Sequence, residues 1–332
     1  MRIAIRADGG SSIGMGHIMR TLVLAKELAK TNEVFYVCRT ENHSENSVSD
    51  KYRAGIEKIK CEGFNVEFIN EKYILEDLKK IKADLLITDS YDVNQEYFIE
   101  TKKIFNETAY IDDINCYYFD VNFLINQNAN GEDLEYKVND DTKLLVGLKY
   151  TMLRNEFRNV PKKIIKEKVK DIMITVGGSD PNHVTEQILN YTKNLQYNFH
   201  VVVGPSFKDS DNLKQFENDR VKLYYNANMY KIMEKCDIAV SACGSTLYEI
   251  AACGVPTLGI IIADNQEGVA KKLDELGAIN NIGWYSKLTK DKFIDSFNEL
   301  VLNLNMRKKM SHTGQNIING RGVERIVKAL TK

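Results

Sequence analysis

The chain has almost no net charge. Its 332 residues carry 45 Lys and Arg against 46 Asp and Glu, a formal balance of −1. That leaves no basic footprint for nucleic acid and no polybasic patch for an anionic membrane surface. Long apolar runs are missing too. The longest, Val255–Ala263, is strand-sized and too short for a bilayer span. The six cysteines, Cys38, Cys61, Cys116, Cys236, Cys243 and Cys253, form no CxxC and no Cys/His metal spacing. They read as buried free thiols of a reduced, cytoplasmic protein that holds no metal. A nucleophilic role for Cys243 beside Gly244 lacks a histidine nearby in sequence to activate it. The chain opens directly on a strand, with no signal peptide pattern ahead of it. No GxxxxGK[ST] phosphate loop occurs.

What is present is the composition of an ordinary globular protein: 43% apolar, 27% charged, four prolines. The length exceeds the usual ceiling for one core, so two domains are expected. Strand-like and helix-like stretches alternate, as in a parallel sheet with helices on both faces. "RIAIRAD", "EVFYVCR", "NVEFIN", "DLLITDS", "TAYIDD", "FLINQN" and "KLLVGL" give the strands of a first half. "VKDIMITVGG", "FHVVVGP", "VKLYYN", "DIAVSACG" and "VPTLGIII" restart the pattern. The seam falls in Lys149–Lys168, where "RNVPKKIIKEK" reads as a charged, solvated linker. The expected domains are 1–155 and 156–332, each doubly wound, with ligands beyond the carboxyl ends of their strands.

The first such loop is "GSSIGMGHIMR" (Gly10–Arg20). Gly14 and Gly16 match the start of a dinucleotide fingerprint, but Met19 stands at the third glycine position and the approach from Asp8 is too long. The next strand ends in Cys38-Arg39, without the acid that would bind a ribose hydroxyl. The pattern therefore argues against a nicotinamide site. It leaves a glycine loop that sets His17 at a helix start. Helix N-termini disfavour positive charge, which suits a proton-accepting imidazole. A histidine bonded into the loop as structure fits the pattern as well. Arg6 and Asp8 end the first strand on one face, either as an ion pair or as part of a polar pocket.

Two loops of the second half suit phosphate. "TVGGSDPN" puts Gly177, Gly178 and Ser179 between a strand and a helix, and "SACGSTLYEIAACGVP" does the same with Gly244, Ser245 and Thr246. Glu249 lies in the first turns beyond the second loop, placed for ribose hydroxyls or on a solvated helix face. "IIADNQEG" ends a strand with Asp264, Asn265 and Gln266, as an N-cap or as substrate recognition. "TDSYDVN" sets Tyr91 at a strand end, as a surface tyrosine or a site residue.

Taken together, "RADGGSSIGMGHIMR", "TDSY", "TVGGSDPN", "SACGSTLYEIAACGVP" and "ADNQ", with "INQNANGEDLEY", "GLKYTMLRNEF" and "NGRGVERIV", resemble the UDP-sugar hydrolases of pseudaminic acid biosynthesis and their spore-coat polysaccharide relatives. The resemblance spans nearly the whole chain. It implies an α/β protein of the GT-B fold, with two Rossmann-like domains whose doubly wound sheets face a cleft. It is similar also to the glycosyltransferase that adds N-acetylglucosamine to a lipid-linked muramyl precursor. It implies hydrolysis of UDP-2,4-diacetamido-2,4,6-trideoxy-β-L-altropyranose by water at the anomeric carbon, with C–O cleavage and inversion, and no cofactor. By position, His17 is the base. The substrate-binding set is Arg6, Asp8, Gly14, Gly16, Arg20, Tyr91, Asn265 and Gln266, with Tyr91 and Asn265 lining the sugar pocket and Asp8 an acid beside it. Gly177–Ser179 and Gly244–Thr246 meet the UDP phosphates, Glu249 the ribose, and backbone near Tyr225–Met229 the uracil. Two rivals use the same loops: a glycosyltransferase acting on a UDP-amino sugar, and a non-catalytic nucleotide-sugar binding protein of spore-coat assembly.

Overall fold

Alternation along the first strand, β1 (Arg2–Ala7), sets the architecture. Ile3, Ile5 and Ala7 enter one apolar cluster and Ala4 another, so the strand is buried on both faces. Such a strand needs parallel neighbours at its edges and helices on both faces. The computed structural model, which describes residues 1–10, 13–41, 48–208 and 210–331, supplies both. Ser11 and Ser12 of the opening glycine loop lie outside the described residues.

The chain divides into two compact units, Met1–Leu153 with Arg321–Lys332, and Arg154–Gly320. In the first, β1 is followed by α1 (Gly16–Leu28), β2 (Glu33–Thr40), α2 (Asp50–Cys61), β3 (Val66–Asn70), α3 (Ile74–Leu78), β4 (Leu85–Asp89), α4 (Gln95–Ile104) and β5 (Glu107–Ile111). Then come β6 (Tyr118–Phe119), β7 (Phe123–Asn126), β8 (Lys137–Val138) and β9 (Lys143–Val146). The sheet order is β3-β2-β1-β4-β5-β7-β9, and β6 and β8 pair separately. Each of these pairings is parallel. The winding direction reverses between β1 and β4, so their carboxyl ends open a crevice at that point.

The second unit repeats the plan. Its elements are β10 (Asp171–Thr175), α5 (Val184–Thr192), β11 (Asn198–Val203), β12 (Val221–Tyr225), α6 (Met229–Lys235), β13 (Ile238–Ala242), α7 (Thr246–Ala252), β14 (Thr257–Ile261), α8 (Glu267–Glu275), β15 (Asn280–Trp284), α9 (Lys290–Leu302) and α10 (Leu304–Ile317). The order β12-β11-β10-β13-β14-β15 reverses between β10 and β13. Both units are Rossmann-like. The charged segment entering this unit is largely exposed, but it is pinned. Buried Arg307 donates to the carbonyls of Lys166 and Glu167 at 3.1 and 2.7 Å, and Gln315 bonds to Pro161 and Lys163.

Three expectations are revised. The boundary expected at 155/156 lies at Leu153/Arg154, and the last helix, α11 (Gly322–Leu330), belongs to the first unit instead of closing the second. Its apolar stripe, Val323, Ile326 and Leu330, is buried in the cluster built on α1 and α2. Spacing marks that stripe on the sequence but does not say which core receives it. The thiols are not all buried: Cys61, at the end of α2, and Cys116, in a loop, are exposed, whereas Cys38, Cys236, Cys243 and Cys253 are buried. Among the described residues no helix is long and apolar enough to cross a membrane.

Gly322 lets α11 dock. A Cβ there would stand 2.1 Å from the Thr151 carbonyl oxygen and 2.6 Å from the Thr151 nitrogen. Gly322→Ala is therefore expected to cost about 1–3 kcal/mol through overpacking. Urea unfolding checks this: a lower midpoint is expected, and an unchanged midpoint contradicts the docking.

Candidate active site

Acids end three neighbouring strands of the first unit. Asp8 follows β1, Asp89 is the last residue of β4, and Asp112 and Asp113 follow β5. Ala7 pairs with Asp89 and Thr88 with Tyr110 in parallel register, so these ends lie along one edge of the sheet. The glycine loop then returns the chain to the same edge. Gly10 and Gly14 exchange backbone hydrogen bonds of 3.1 and 2.9 Å, with Gly14 at φ +80°, a conformation that favours glycine. Gly14 and Gly16 are exposed, and a Cβ on either would meet no atom within 4 Å. The first turn of α1 then places His17.

His17 is buried, and its Nδ1 lies 2.6 Å from Asp89 Oδ1. Burial pushes the Asp89 carboxyl up, but the Arg20 guanidinium and His17 reverse this and hold it below its ordinary range. An ionised carboxylate only accepts, so His17 Nδ1–H donates to Asp89, and in the neutral ring it is Nε2 that carries the lone pair. Arg20 Nε and Nη2 donate to the two oxygens of Asp89, each at 2.5 Å. Its Nη1 donates to Asp113 at 2.7 Å. Burial works against the Arg20 charge, but Asp113 and Asp89 more than compensate and raise its pKa. Tyr91 closes the group. Its ring meets the His17 ring edge to face at 4.7 Å, and its hydroxyl donates to Asp113 Oδ2 at 2.8 Å. Burial and then Asp113 push the Tyr91 phenol up, which keeps it a donor. Asp112, raised to about 6 mainly by burial, accepts the backbone N–H groups of Asn115 and Ile114.

The first unit thus brings His17, Arg20 and Tyr91 together and adds Asp89 and Asp113, which the loop patterns alone did not single out. The signal was an acid closing an apolar strand, in "LLITDS" and "TAYIDD". Arg6 and Asp8 do not bond to one another. Asp8 instead accepts from Arg39 Nε at 2.7 Å and from the Arg39 backbone N–H at 2.8 Å, across the β1–β2 edge. Arg6 is fully buried, donates to the Asp92 carbonyl at 3.1 Å and lies over the Tyr97 ring at 4.8 Å.

In the second unit the two expected phosphate loops differ. The Gly177–Ser179 turn is partly open, with Gly177 at φ +102° and no atom within 4 Å of a Cβ on Gly177 or Gly178. The helix beyond it is already capped: the Asp180 carboxylate accepts from the Val184 and Thr185 N–H groups, each at 2.8 Å. The start of α7, at Gly244, Ser245 and Thr246, has no side-chain cap. Gln266 lies next to it, its Nε2 3.6 Å from where a Gly244 Cβ would stand, and its Oε1 accepts from the Ile262 N–H at 3.1 Å. Asn265 is exposed. Glu249 is not on a solvated face. Arg154 grips both its oxygens, at 2.7 and 2.8 Å.

One consequence is testable without substrate. The neutral His17 ring is expected to carry its proton on Nδ1. Nitrogen-15 NMR of the imidazole at high pH checks this, and a neutral ring protonated on Nε2 contradicts the arrangement.

Comparison with known proteins extends this picture. Residues 171–326 match the glycosyltransferase family 28 C-terminal domain. An uncharacterized protein of Methanocaldococcus jannaschii is 30% identical over 78% of this chain; the match covers 55% of that protein, so the chain spans about half its length. The spore coat polysaccharide biosynthesis protein SpsG of Bacillus subtilis is 23% identical over 99% of this chain and 98% of its own. The UDP-2,4-diacetamido-2,4,6-trideoxy-β-L-altropyranose hydrolase of Campylobacter jejuni is 26% identical over 83% of this chain and 97% of its own. Among solved structures, MurG of Acinetobacter baumannii superposes with a TM-score of 0.68 at 15% identity, covering 99% of this chain and 98% of the other, a likeness of fold that assigns the GT-B architecture. By sequence the chain is similar to both the altropyranose hydrolase and the spore-coat protein over most of its length.

Proposed function

We propose that this chain hydrolyses a UDP-linked diacetamido-trideoxy sugar, UDP-2,4-diacetamido-2,4,6-trideoxy-β-L-altropyranose, in pseudaminic acid biosynthesis. The observation that carries the reading is the buried pair of His17 and ionised Asp89, which leaves His17 Nε2 free to accept a proton. In this reading Nε2 takes a proton from water as the water oxygen bonds to the anomeric carbon. The bond from that carbon to the diphosphate oxygen breaks, and UDP leaves with the electron pair. The imidazolium that forms is stabilised by Asp89, as the base of an acid–base pair requires. Exposed Gly14 and Gly16 leave room beside His17 for the sugar and its water, and Tyr91, edge to face with the His17 ring, is assigned to the same pocket.

The second unit takes the nucleotide. The open Gly177–Ser179 turn and the uncapped start of α7 offer backbone N–H groups to the diphosphate, whose charge grows as the bond breaks. Glu249 accepts from the ribose hydroxyls. Arg6 and Asp8, each held by other partners, support the strand ends, whereas Asn265 and Gln266 are assigned to the sugar. Direct displacement by water inverts the anomeric centre. The glycosyltransferase-domain match over residues 171–326 supports a second reading, transfer to an acceptor on the same donor loops. UDP release with no acceptor present separates the two.

His17→Asn is expected to keep UDP affinity within about twofold while hydrolysis falls by roughly 10²–10⁴-fold. Coupled UDP release and calorimetry check this, and turnover near the unsubstituted rate removes His17 as the base. Proton NMR of the first-formed sugar anomer is expected to show inversion.

A further inference from the structure

Arg154 connects two features of the second unit. Its Nε and Nη2 donate to Glu249 Oε1 and Oε2 at 2.7 and 2.8 Å, and its Nη1 lies 3.0 Å from Glu156 Oε1. Its guanidinium rests over the Phe157 ring at 4.9 Å, and that buried ring meets Tyr230 at 6.2 Å. Arg154 also lines a cavity of about 310 Å³, with Ala227, Asn228, Met229 and Tyr230 among its walls. One side chain therefore holds the Glu249 carboxylate and forms the edge of the adjoining cavity.

We infer that Arg154 is a positioning residue for a nucleoside diol: it fixes the Glu249 carboxylate so that both oxygens accept from a ribose seated beside the cavity. The inference rests on the nucleotide reading given under Proposed function. A carboxylate has about four acceptor positions, and a forked guanidinium occupies one on each oxygen. One position per oxygen remains, arranged for two neighbouring hydroxyls. A lysine in place of Arg154 would keep the charge but not the fork. Burial raises the Glu249 carboxyl, and the hydrogen bonds and charge of Arg154 oppose that rise. Without them the buried group shifts towards the acid, which has fewer positions to offer a diol. Phe157 and Glu156 in turn hold the guanidinium in place.

A purely structural ion pair would affect stability but not the choice between nucleotides. Calorimetric titration with UDP and with 2′,3′-dideoxy-UDP distinguishes the two. The unsubstituted protein is expected to prefer UDP by about tenfold or more, the scale of hydrogen bonds to a charged group. Arg154→Met is expected to cut that preference to about twofold or less while binding the dideoxy nucleotide as before. In the Glu249→Gln background Arg154→Met should change the preference no further, because one residue acts through the other. If Arg154→Met is too unstable to titrate, Arg154→Lys replaces it and is expected to lose at least about half of the preference. A full preference retained in the folded variant overturns the inference. Equal binding of the two nucleotides by the unsubstituted protein overturns it too and leaves the UDP reading intact. No UDP binding by the unsubstituted protein overturns both.

Discussion

The hydrogen bond between His17 and Asp89 is the constraint on which the chemistry proposed for the first unit depends. It joins the start of α1 to the end of β4 across 72 residues of sequence. Parallel pairing of β1 with β4 makes it possible, because both carboxyl ends then face the same side at the point where the winding reverses. The bond fixes which ring nitrogen keeps a lone pair. It also needs an ionised Asp89 in a fully buried position, and Arg20 provides for that with two hydrogen bonds. Asp113 balances the Arg20 charge and binds the Tyr91 hydroxyl. Four charged or polar side chains thus support one free nitrogen. Removing one of the buried charged members, Asp89 or Arg20, leaves an uncompensated charge, a loss of about 3–5 kcal/mol.

The second unit repeats the topology with different loops at its centre. Its strands also reverse at the centre, and the loops there carry glycine, serine and threonine, with His183 directly before α5. The two loops are not equivalent. Asp180 satisfies the first amides of α5, whereas those of α7 have no side-chain cap. The carboxylate one turn into α7 is held by an arginine at the beginning of the unit. Order in this unit comes from pairing of that kind and from Arg307, which ties the entering segment to the core.

Much of this was legible in the sequence, for identifiable reasons. Apolar runs of strand length separated by amphipathic stretches marked the strands and most helices, and glycines after strands marked the loops. His17 stood out because a histidine at a helix start within a glycine loop is unusual. Its orienting acid did not, because Asp89 is far away in sequence and only the β1–β4 pairing brings it near. Arg20 and Asp113 are 93 residues apart, and Arg154 and Glu249 are 95 apart. Pairs of this kind follow from strand order, which local pattern does not encode. Of the two readings of Arg6 and Asp8, the ion pair does not form, for a related reason. Arg6 lies in β1 and Asp8 directly follows it, but β2 brings Arg39 to Asp8, and the turn after β4 brings the Asp92 carbonyl to Arg6. The last helix misled by the same token, since its stripe fits either core.

The most direct test is the hydrolysis rate of Asp89→Asn, measured with UDP affinity and with a thermal midpoint that confirms folding. An asparagine keeps the size of the group but can donate to Nδ1, which allows the ring its other tautomer. The account predicts loss of hydrolysis of about 10²-fold or more in a folded protein that still binds UDP. A folded Asp89→Asn variant that hydrolyses the UDP-sugar at the unsubstituted rate would contradict it.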